Sequence, residues 1–338
     1  MLKKITLIGS LMLLLSIPNV TNAIDSVKPF LGRWALFLPG GAGWLGVTQM
    51  DGYLDASLLW YGGSVEPVSS IYMDGQTLVV TRSRTFVRTK DASGAPVRTH
   101  NASTIYRFSI YGDLLAGEMI TPEKDGGSTT TRFTGKKIPD LPAAPDLSKI
   151  VYGKPVKLLN GKDLTGWKLL EANKVNGWTI VDGALINDPV QKEGQPHVAY
   201  GNICTIDKFE DFNLKLQVNV PTGSNSGVYL RGIYEIQVFD SYNKPLDPHN
   251  MGALYSRITP SESAEKPAGT WQDLDITLCD RYLTVILNGK NIINNQPVLG
   301  CTGGAITPDE FIPGPLYLQG DHGKVSYRNI EIKPILKK

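Results

Sequence analysis

Between residues 30 and 134, apolar and polar positions fall into short runs that read as strands, at residues 34–38, 54–60, 77–80, 105–110 and 118–121. Gly40-Gly41, Asp51-Gly52, Asp74-Gly75 and Asp125-Gly126-Gly127 separate or follow these runs. Glycine reaches the backbone conformations that tight hairpins require, so the pairs act as turn signals between antiparallel strands. The pattern predicts a small antiparallel β-barrel or sandwich over residues 24–136. Strand patterns resume after residue 156, at residues 213–220, 227–230, 234–239, 273–278, 282–287 and 325–332. In Phe212-Asn213-Leu214-Lys215-Leu216-Gln217-Val218 every second residue is apolar, which sends one set toward a core and the other to the opposite face. Helical periodicity is nearly absent after the first residues. Residues 151–338 are therefore predicted to form a two-sheet antiparallel sandwich, and the chain is all-β.

Two segments depart from this pattern. Lys3 and Lys4 precede an apolar run over residues 5–17, and Thr21-Asn22-Ala23 follows with small residues. That arrangement reads as a secretory signal peptide over residues 1–23, cleaved near Ala23, which implies a soluble periplasmic or secreted protein. The run is short for a membrane span, no later stretch approaches about 18 uninterrupted apolar residues, and no cysteine follows it to accept a lipid. The second segment, residues 137–150, carries Pro139, Pro142 and Pro145. Such spacing continues neither a helix nor a sheet, and predicts an extended connector between the domains.

Length and composition narrow the picture further. The 338 residues suit two domains, each able to bury its own core. The 34 Lys and Arg nearly balance 32 Asp and Glu, so no charge excess points to nucleic acid. Fourteen Tyr and 6 Trp serve strand cores and sugar-binding surfaces alike. Cys204, Cys279 and Cys301 are odd in number and lack C-x-x-C spacing, which makes a zinc knot a poor fit and leaves either one disulfide or three buried thiols.

Several motifs carry a resemblance. Gly32-Arg33-Trp34 is similar to the opening of lipocalin-like barrels, where a tryptophan crosses the barrel base; Trp34 reads more readily as plain core. The C-terminal half opens with Leu158-Leu159-Asn160-Gly161-Lys162-Asp163-Leu164-Thr165-Gly166-Trp167, followed by Trp178-Thr179-Ile180-Val181-Asp182-Gly183. Asn225-Ser226-Gly227-Val228-Tyr229-Leu230-Arg231-Gly232 and Tyr234-Glu235-Ile236-Gln237-Val238-Phe239-Asp240 come next, then Gly252-Ala253-Leu254-Tyr255 and Lys266-Pro267-Ala268-Gly269-Thr270-Trp271. Gly314-Pro315-Leu316-Tyr317-Leu318-Gln319 precedes Asp321-His322-Gly323, with Gly320 between them where the family pattern runs on directly. In this order the segments resemble the 3-keto-disaccharide hydrolase domain family, carbohydrate-active proteins with a concanavalin-like jelly-roll fold, over about residues 156–335. The resemblance implies action on a small glycoside or disaccharide whose glucose carries a ketone at C3. The ketone acidifies the C2 proton, so a base removes it and the C1 substituent leaves by elimination; water addition completes a hydrolysis. That chemistry needs a base near C2, a donor or cation at the enolate oxygen and an acid at the leaving oxygen.

The chain offers candidates for each of these roles. Alternation puts Glu235 and Gln237 on one strand face and Ile236 and Val238 on the other, with Arg231 four residues before Glu235 as its expected ionic partner. The catalytic candidates are Glu235, His322, whose imidazole suits proton transfer near neutrality, and Lys266, a cation for an enolate. Arg231, Gln237, Asp240, Tyr255, Trp271, Gln319 and Asp321 are the substrate-binding candidates, Tyr255 and Trp271 as walls for a pyranose ring. His197 and His249 occupy loop-like segments. Asp240, Asp247, Asp321 and Glu235 offer oxygen ligands for calcium or another divalent metal, though their spacing matches no calcium loop. Two functions stay open: an enzyme that cleaves 3-keto-glycosides, as hydrolase or lyase, and a carbohydrate-binding module that uses the same concave sheet without catalysis.

Overall fold

The computed structural model describes residues 26–337 apart from residues 124 and 125; the expected signal peptide lies outside them. No described helix is long and apolar enough to cross a membrane.

The N-terminal half is one nine-stranded antiparallel sheet in which most neighbours in sequence are also neighbours in space. Its two edge strands, Glu66–Pro67 and Ser70–Asp74, are consecutive in the chain. Val68 N–H donates to Ala56 O at one edge, while Ser69 N–H donates to Thr81 O at the other. Each bond extends an edge strand's own pairing, and the adjacent residues 68 and 69 carry the chain from one edge to the other, so the sheet curls round on itself as a barrel does. Trp34, Leu36, Leu45, Leu58, Leu78, Phe108 and Leu115 fill the interior. Trp34 is 2% exposed and its indole donates to Phe30 O at 2.8 Å, so it is core with its polar atom satisfied.

The last barrel strand runs Ser128–Ile138, so Lys137 and Ile138 belong to the barrel and the connector begins at Pro139. That connector is pinned. The Arg281 guanidinium donates to Pro139 O and Asp140 O, Tyr282 Oη to Pro142 O, and Asn295 Nδ2 to Pro145 O. A proline-rich segment has few N–H groups of its own, and its carbonyls are met here by side chains of the second domain.

The C-terminal half is a sandwich of a five-stranded sheet and a larger one. The five-stranded sheet orders Trp167–Leu169, Ile203–Thr205, Tyr317–Leu318, Asn225–Leu230 and Tyr234–Phe239. The larger sheet includes Phe212–Asn219, Trp271–Cys279, Tyr282–Leu287 and Val325–Lys337. Between them pack Leu214, Leu216, Val218, Val228, Ile236, Val238 and Ile276, the residues that alternation assigns to the core face. Cys204, Cys279 and Cys301 are buried and form no disulfide among the described residues. Barrel residues Ala42, Trp44 and Leu59 join the sandwich core cluster, and the Trp44 ring lies 4.3 Å from the Arg257 guanidinium. The two domains thus share apolar packing.

Candidate active site

The site grows out of strand alternation in the five-stranded sheet. Tyr234, Ile236 and Val238 point into the core, so Glu235 and Gln237 emerge on the outer face of the sheet. Register then fixes their neighbours. Glu235 pairs with Tyr229, Tyr229 with Tyr317, Tyr317 with Cys204, and Cys204 with Lys168. On the other flank Leu254 bridges Ile236, and Tyr255 N–H donates to Glu235 O at 3.0 Å, which sets Tyr255 beside Glu235. One row across the sheet therefore reads Lys168, Cys204, Tyr317, Tyr229, Glu235, Tyr255. The adjoining row holds Gln319, Gly227, Gln237 and Ala253, since Gly227 pairs with Gln237, Gln319 N–H donates to Gly227 O and Gln237 N–H to Ala253 O. Gly227 is required on steric grounds, because a β-carbon there would meet Glu235 Oε1 at 2.3 Å. Only glycine leaves room for the carboxyl to lie across the neighbouring strand.

Glu235 is 4% exposed. Burial raises its pKa to about 8, against a smaller lowering by the Tyr229 hydroxyl, because an enclosed carboxylate loses the hydration that favours its charge. No guanidinium offsets the loss. Arg231, the expected partner, turns away: its backbone has φ of 56° and its guanidinium donates to Glu310 O at 2.8 Å and to Ile312 O. Tyr229 Oη lies 2.8 Å from Glu235 Oε2 and 2.8 Å from Gly303 O. A phenol has one proton, so both contacts are satisfied together when Glu235 is a carboxylic acid donating to Tyr229 and Tyr229 donates to Gly303. The Tyr229 and Tyr317 rings stack at 3.9 Å between centroids, which fixes the phenol.

A cover closes over this row. Glu235 N–H donates to Thr302 Oγ1 at 2.8 Å, and Gly304 N–H donates to Tyr61 O of the barrel at 2.9 Å. Gly303 lies against Gly62 and Gly63, where a β-carbon would meet Gly63 O at 2.3 Å. At the same boundary Ser64 Oγ lies 2.9 Å from His249 Nε2, and His249 Nδ1 lies 2.5 Å from Asp247 Oδ1. The imidazole edge rests on the Tyr255 ring at 5.0 Å. The barrel thereby reaches the edge of the Glu235 row.

The remaining expected residues divide by place. Gln237 Oε1 accepts from Val238 N–H, leaving its amide nitrogen as a donor on the outer face. Asp240 follows the same strand and caps the Gly223 N–H at 2.9 Å. Gly320 leaves the sheet: its N–H donates to Asn202 Oδ1 and its carbonyl accepts from Asn187. Asp321 then accepts from Tyr200 N–H at 2.9 Å, and His322 is exposed. His197 lies in its loop near the surface. Lys266 and Trp271 lie elsewhere. Lys266 Nζ pairs with Asp273, which Gln217 also contacts, on the outer face of the larger sheet. Trp271 is there too, stacked under the Arg328 guanidinium at 4.0 Å. The sandwich core separates both from Glu235.

Glu235, Asp240, Asp247 and Asp321 are each held by a different partner. Among the described residues the group of three close metal-ligating atoms is Asp211, Cys279 and Asp280, away from this sheet. Sequence reasoning misses Tyr229, Tyr317 and Thr302. The alternation of Gly227 and Tyr229 is the available signal for the first; the others come from distant chain.

A solved structure similar to this chain is a "putative glycosyl hydrolase" from Parabacteroides distasonis, 28% identical over 58% of this chain and 94% of its own, with a TM-score of 0.44. A second of the same description and organism is 23% identical over 53% of this chain and 93% of its own, with a TM-score of 0.43. The carbohydrate-binding module CBM66 from Bacillus subtilis is 9% identical over 49% of this chain and 94% of its own, with a TM-score of 0.32. No curated protein matches the chain. Residues 154–333 match the model of the 3-keto-alpha-glucoside-1,2-lyase-like domain, more than half of the chain, and the chain belongs to that family of carbohydrate-active proteins.

Proposed function

We propose that the chain cleaves glycosides whose glucose unit carries a ketone at C3, by removing the C2 proton and eliminating the C1 substituent. The observation that carries this reading is Glu235, enclosed on the sheet face of a domain of this family with a pKa of about 8. Such a group changes protonation close to neutrality and can both take and return a proton. As carboxylate, Glu235 accepts the C2 proton; the C2–H electrons form the C1–C2 double bond, and the C1–O bond breaks. The acid so formed keeps its proton long enough to hand it to the departing alkoxide, which leaves as an alcohol. Water addition across the double bond then gives overall hydrolysis, and without it the enzyme is a lyase. Gln237, Gln319 and Tyr255 border the carboxyl and supply hydrogen bonds to the enolate oxygen and the ring hydroxyls. The apolar run at residues 5–17 supports an exported protein that meets its glycoside outside the cytoplasm.

The test supplies pure protein with a 3-keto glucoside and with the same glucoside unoxidised. Consumption of the first alone, with release of the aglycone and a transient unsaturated ketone absorbance, is expected. Saturable binding of sugar with neither compound consumed would replace the enzyme with a sugar-binding module, a reading favoured by the 4% exposure of Glu235.

A further inference from the structure

The barrel carries a second constellation that the sandwich chemistry does not use. In the strand Thr77–Lys90, Leu78 and Val80 point into the barrel core. Alternation continues that face through residues 82, 84 and 86, but the side chains become Arg82, Arg84 and Phe86, and a bulge after residue 87 brings Arg88 to the same lining. The facing strand answers with small or polar residues: Thr104 opposite Arg82, Ala102 opposite Arg84 and His100 opposite Phe86. Where the core ends, the mouth of the barrel is therefore open, and lined by cations and aromatic rings.

Two adjoining cavities occupy this mouth. One, of about 500 Å³, is bounded by Trp60, Tyr106, Arg82, Arg84 and Phe86. The other, of about 480 Å³, shares Phe86 and continues past Arg88 and His100. Both fall in the size range of small-molecule sites, roughly 300–1,000 Å³. Arg82 has a side chain only 14% exposed, held against Glu66, whose carboxylate is also 3.6 Å from Arg84. Arg88 Nη2 lies 2.6 Å from His100 Nε2, and the His100 ring is tilted 31° to Phe86 at 5.8 Å. Against three guanidiniums the lining offers two carboxylates, Glu66 and Glu123. Planar guanidiniums beside aromatic faces suit a ring that carries an anionic group, because the fork matches the oxyanion and the ring face covers the C–H surface of a sugar. The wall of the first cavity also contains Gly62, Gly63 and Ser64. That segment touches Gly303 above Tyr229 and reaches His249 beside Tyr255, so the cavity ends at the cover of the Glu235 row.

We propose that the mouth of the N-terminal barrel is a second saccharide site, selective for sugars that bear a carboxylate or sulfate, with Arg84 and Arg88 reading the charge and Trp60 and Phe86 bearing the ring. It holds the part of a substrate that lies beyond the bond broken in the sandwich; only that last statement rests on the function proposed above, and the binding itself does not. The test is calorimetry on the full chain with three probes: a short oligogalacturonate, a sulfated disaccharide and a neutral oligosaccharide of similar length. The acidic probes should bind about tenfold or more tightly than the neutral one, and added salt should weaken them. The exposed pair Arg84→Gln and Arg88→Gln should remove that preference while leaving thermal unfolding and turnover of a small neutral 3-keto glucoside unchanged. Equal binding of acidic and neutral probes, no binding of any of them, or an acidic preference that survives the double substitution would each overturn the proposal. Failure of 3-keto turnover with acidic binding intact would instead count against the sandwich chemistry alone, and the carboxylate and sulfate arms identify which anion the site takes.

Discussion

The two outer faces of the sandwich are written in the same alternating code and end in opposite chemistry. On the five-stranded sheet, Glu235 and Gln237 alternate with Ile236 and Val238; on the larger sheet, Asp273 and Asp275 alternate with Leu274 and Ile276. Glu235 is enclosed, with no cation beside it, and its pKa rises to about 8. Asp273 remains open to solvent, receives hydrogen bonds from Gln217 and Lys266, and its pKa is lowered. The difference is not in the strands. Residues 302–304 and the barrel segment of Gly62 and Gly63 cover one face, while solvent keeps the other. An acidic strand position holds its proton toward neutrality through what is laid over it.

The largest effect expected from breaking this contrast is on turnover. Glu235→Gln keeps the shape and the contact to Tyr229 but cannot take a proton. With the fold unchanged by circular dichroism, turnover of a 3-keto glucoside should fall by roughly 10² to 10⁴, as for loss of a general acid or base. A variant that retains full activity excludes Glu235 from the chemistry.

The next effect is on stability. The folded chain holds the Glu235 proton up to about pH 8, whereas an ordinary carboxyl releases it near 4.5. The unfolded chain therefore binds fewer protons across that window, and stability falls as pH rises from about 4.5 to about 8 before levelling. The loss is on the order of 3 to 5 kcal/mol. Burial acts in the same direction on Glu310, so Glu235→Gln should flatten the decline without abolishing it. Denaturant midpoints measured across this range check the sign, and a slope identical in both proteins would mean that Glu235 is ionised in the folded state.

The contrast also marks what is legible in the residues alone. Strand alternation and turn signals carry the all-β class, because period-two patterning is local and survives translation into sheets. The same period separates Glu235 and Gln237 from Ile236 and Val238. Arg231 is misplaced by sequence because four residues of separation ignore the turn at residues 231–233, whose positive φ aims the guanidinium at Glu310 and Ile312 carbonyls. Lys266 and Trp271 are misplaced because a motif gives order along the chain and not the sheet on which each piece lands. The cover over Glu235 is illegible: Thr302 follows it by 67 residues and Gly63 belongs to the other domain. Contacts of that span leave no periodic trace.

The smallest expected effect sharpens the comparison from the other side. Lys266 Nζ lies 3.3 Å from Asp273 Oδ2, with the two side chains 41% and 54% exposed. An ion pair in that setting gains little over hydration and loses side-chain freedom, and typically contributes about 0.2 to 1 kcal/mol. Asp273 also keeps its hydrogen bond from Gln217 at 2.7 Å when the lysine is gone, so no buried charge is left unpaired. Lys266→Ala should therefore shift stability by less than about 1 kcal/mol, and turnover should stay within about twofold of the parent, since the whole sandwich core separates the ammonium from Glu235 and two packed sheets stand about 10 Å apart. Kinetics and thermal unfolding on the same preparation decide it. A drop in turnover of about tenfold, equivalent to about 1.4 kcal/mol at the transition state, with stability unchanged would show that the larger sheet takes part in the chemistry and that the assignment of one reactive and one solvated face is wrong.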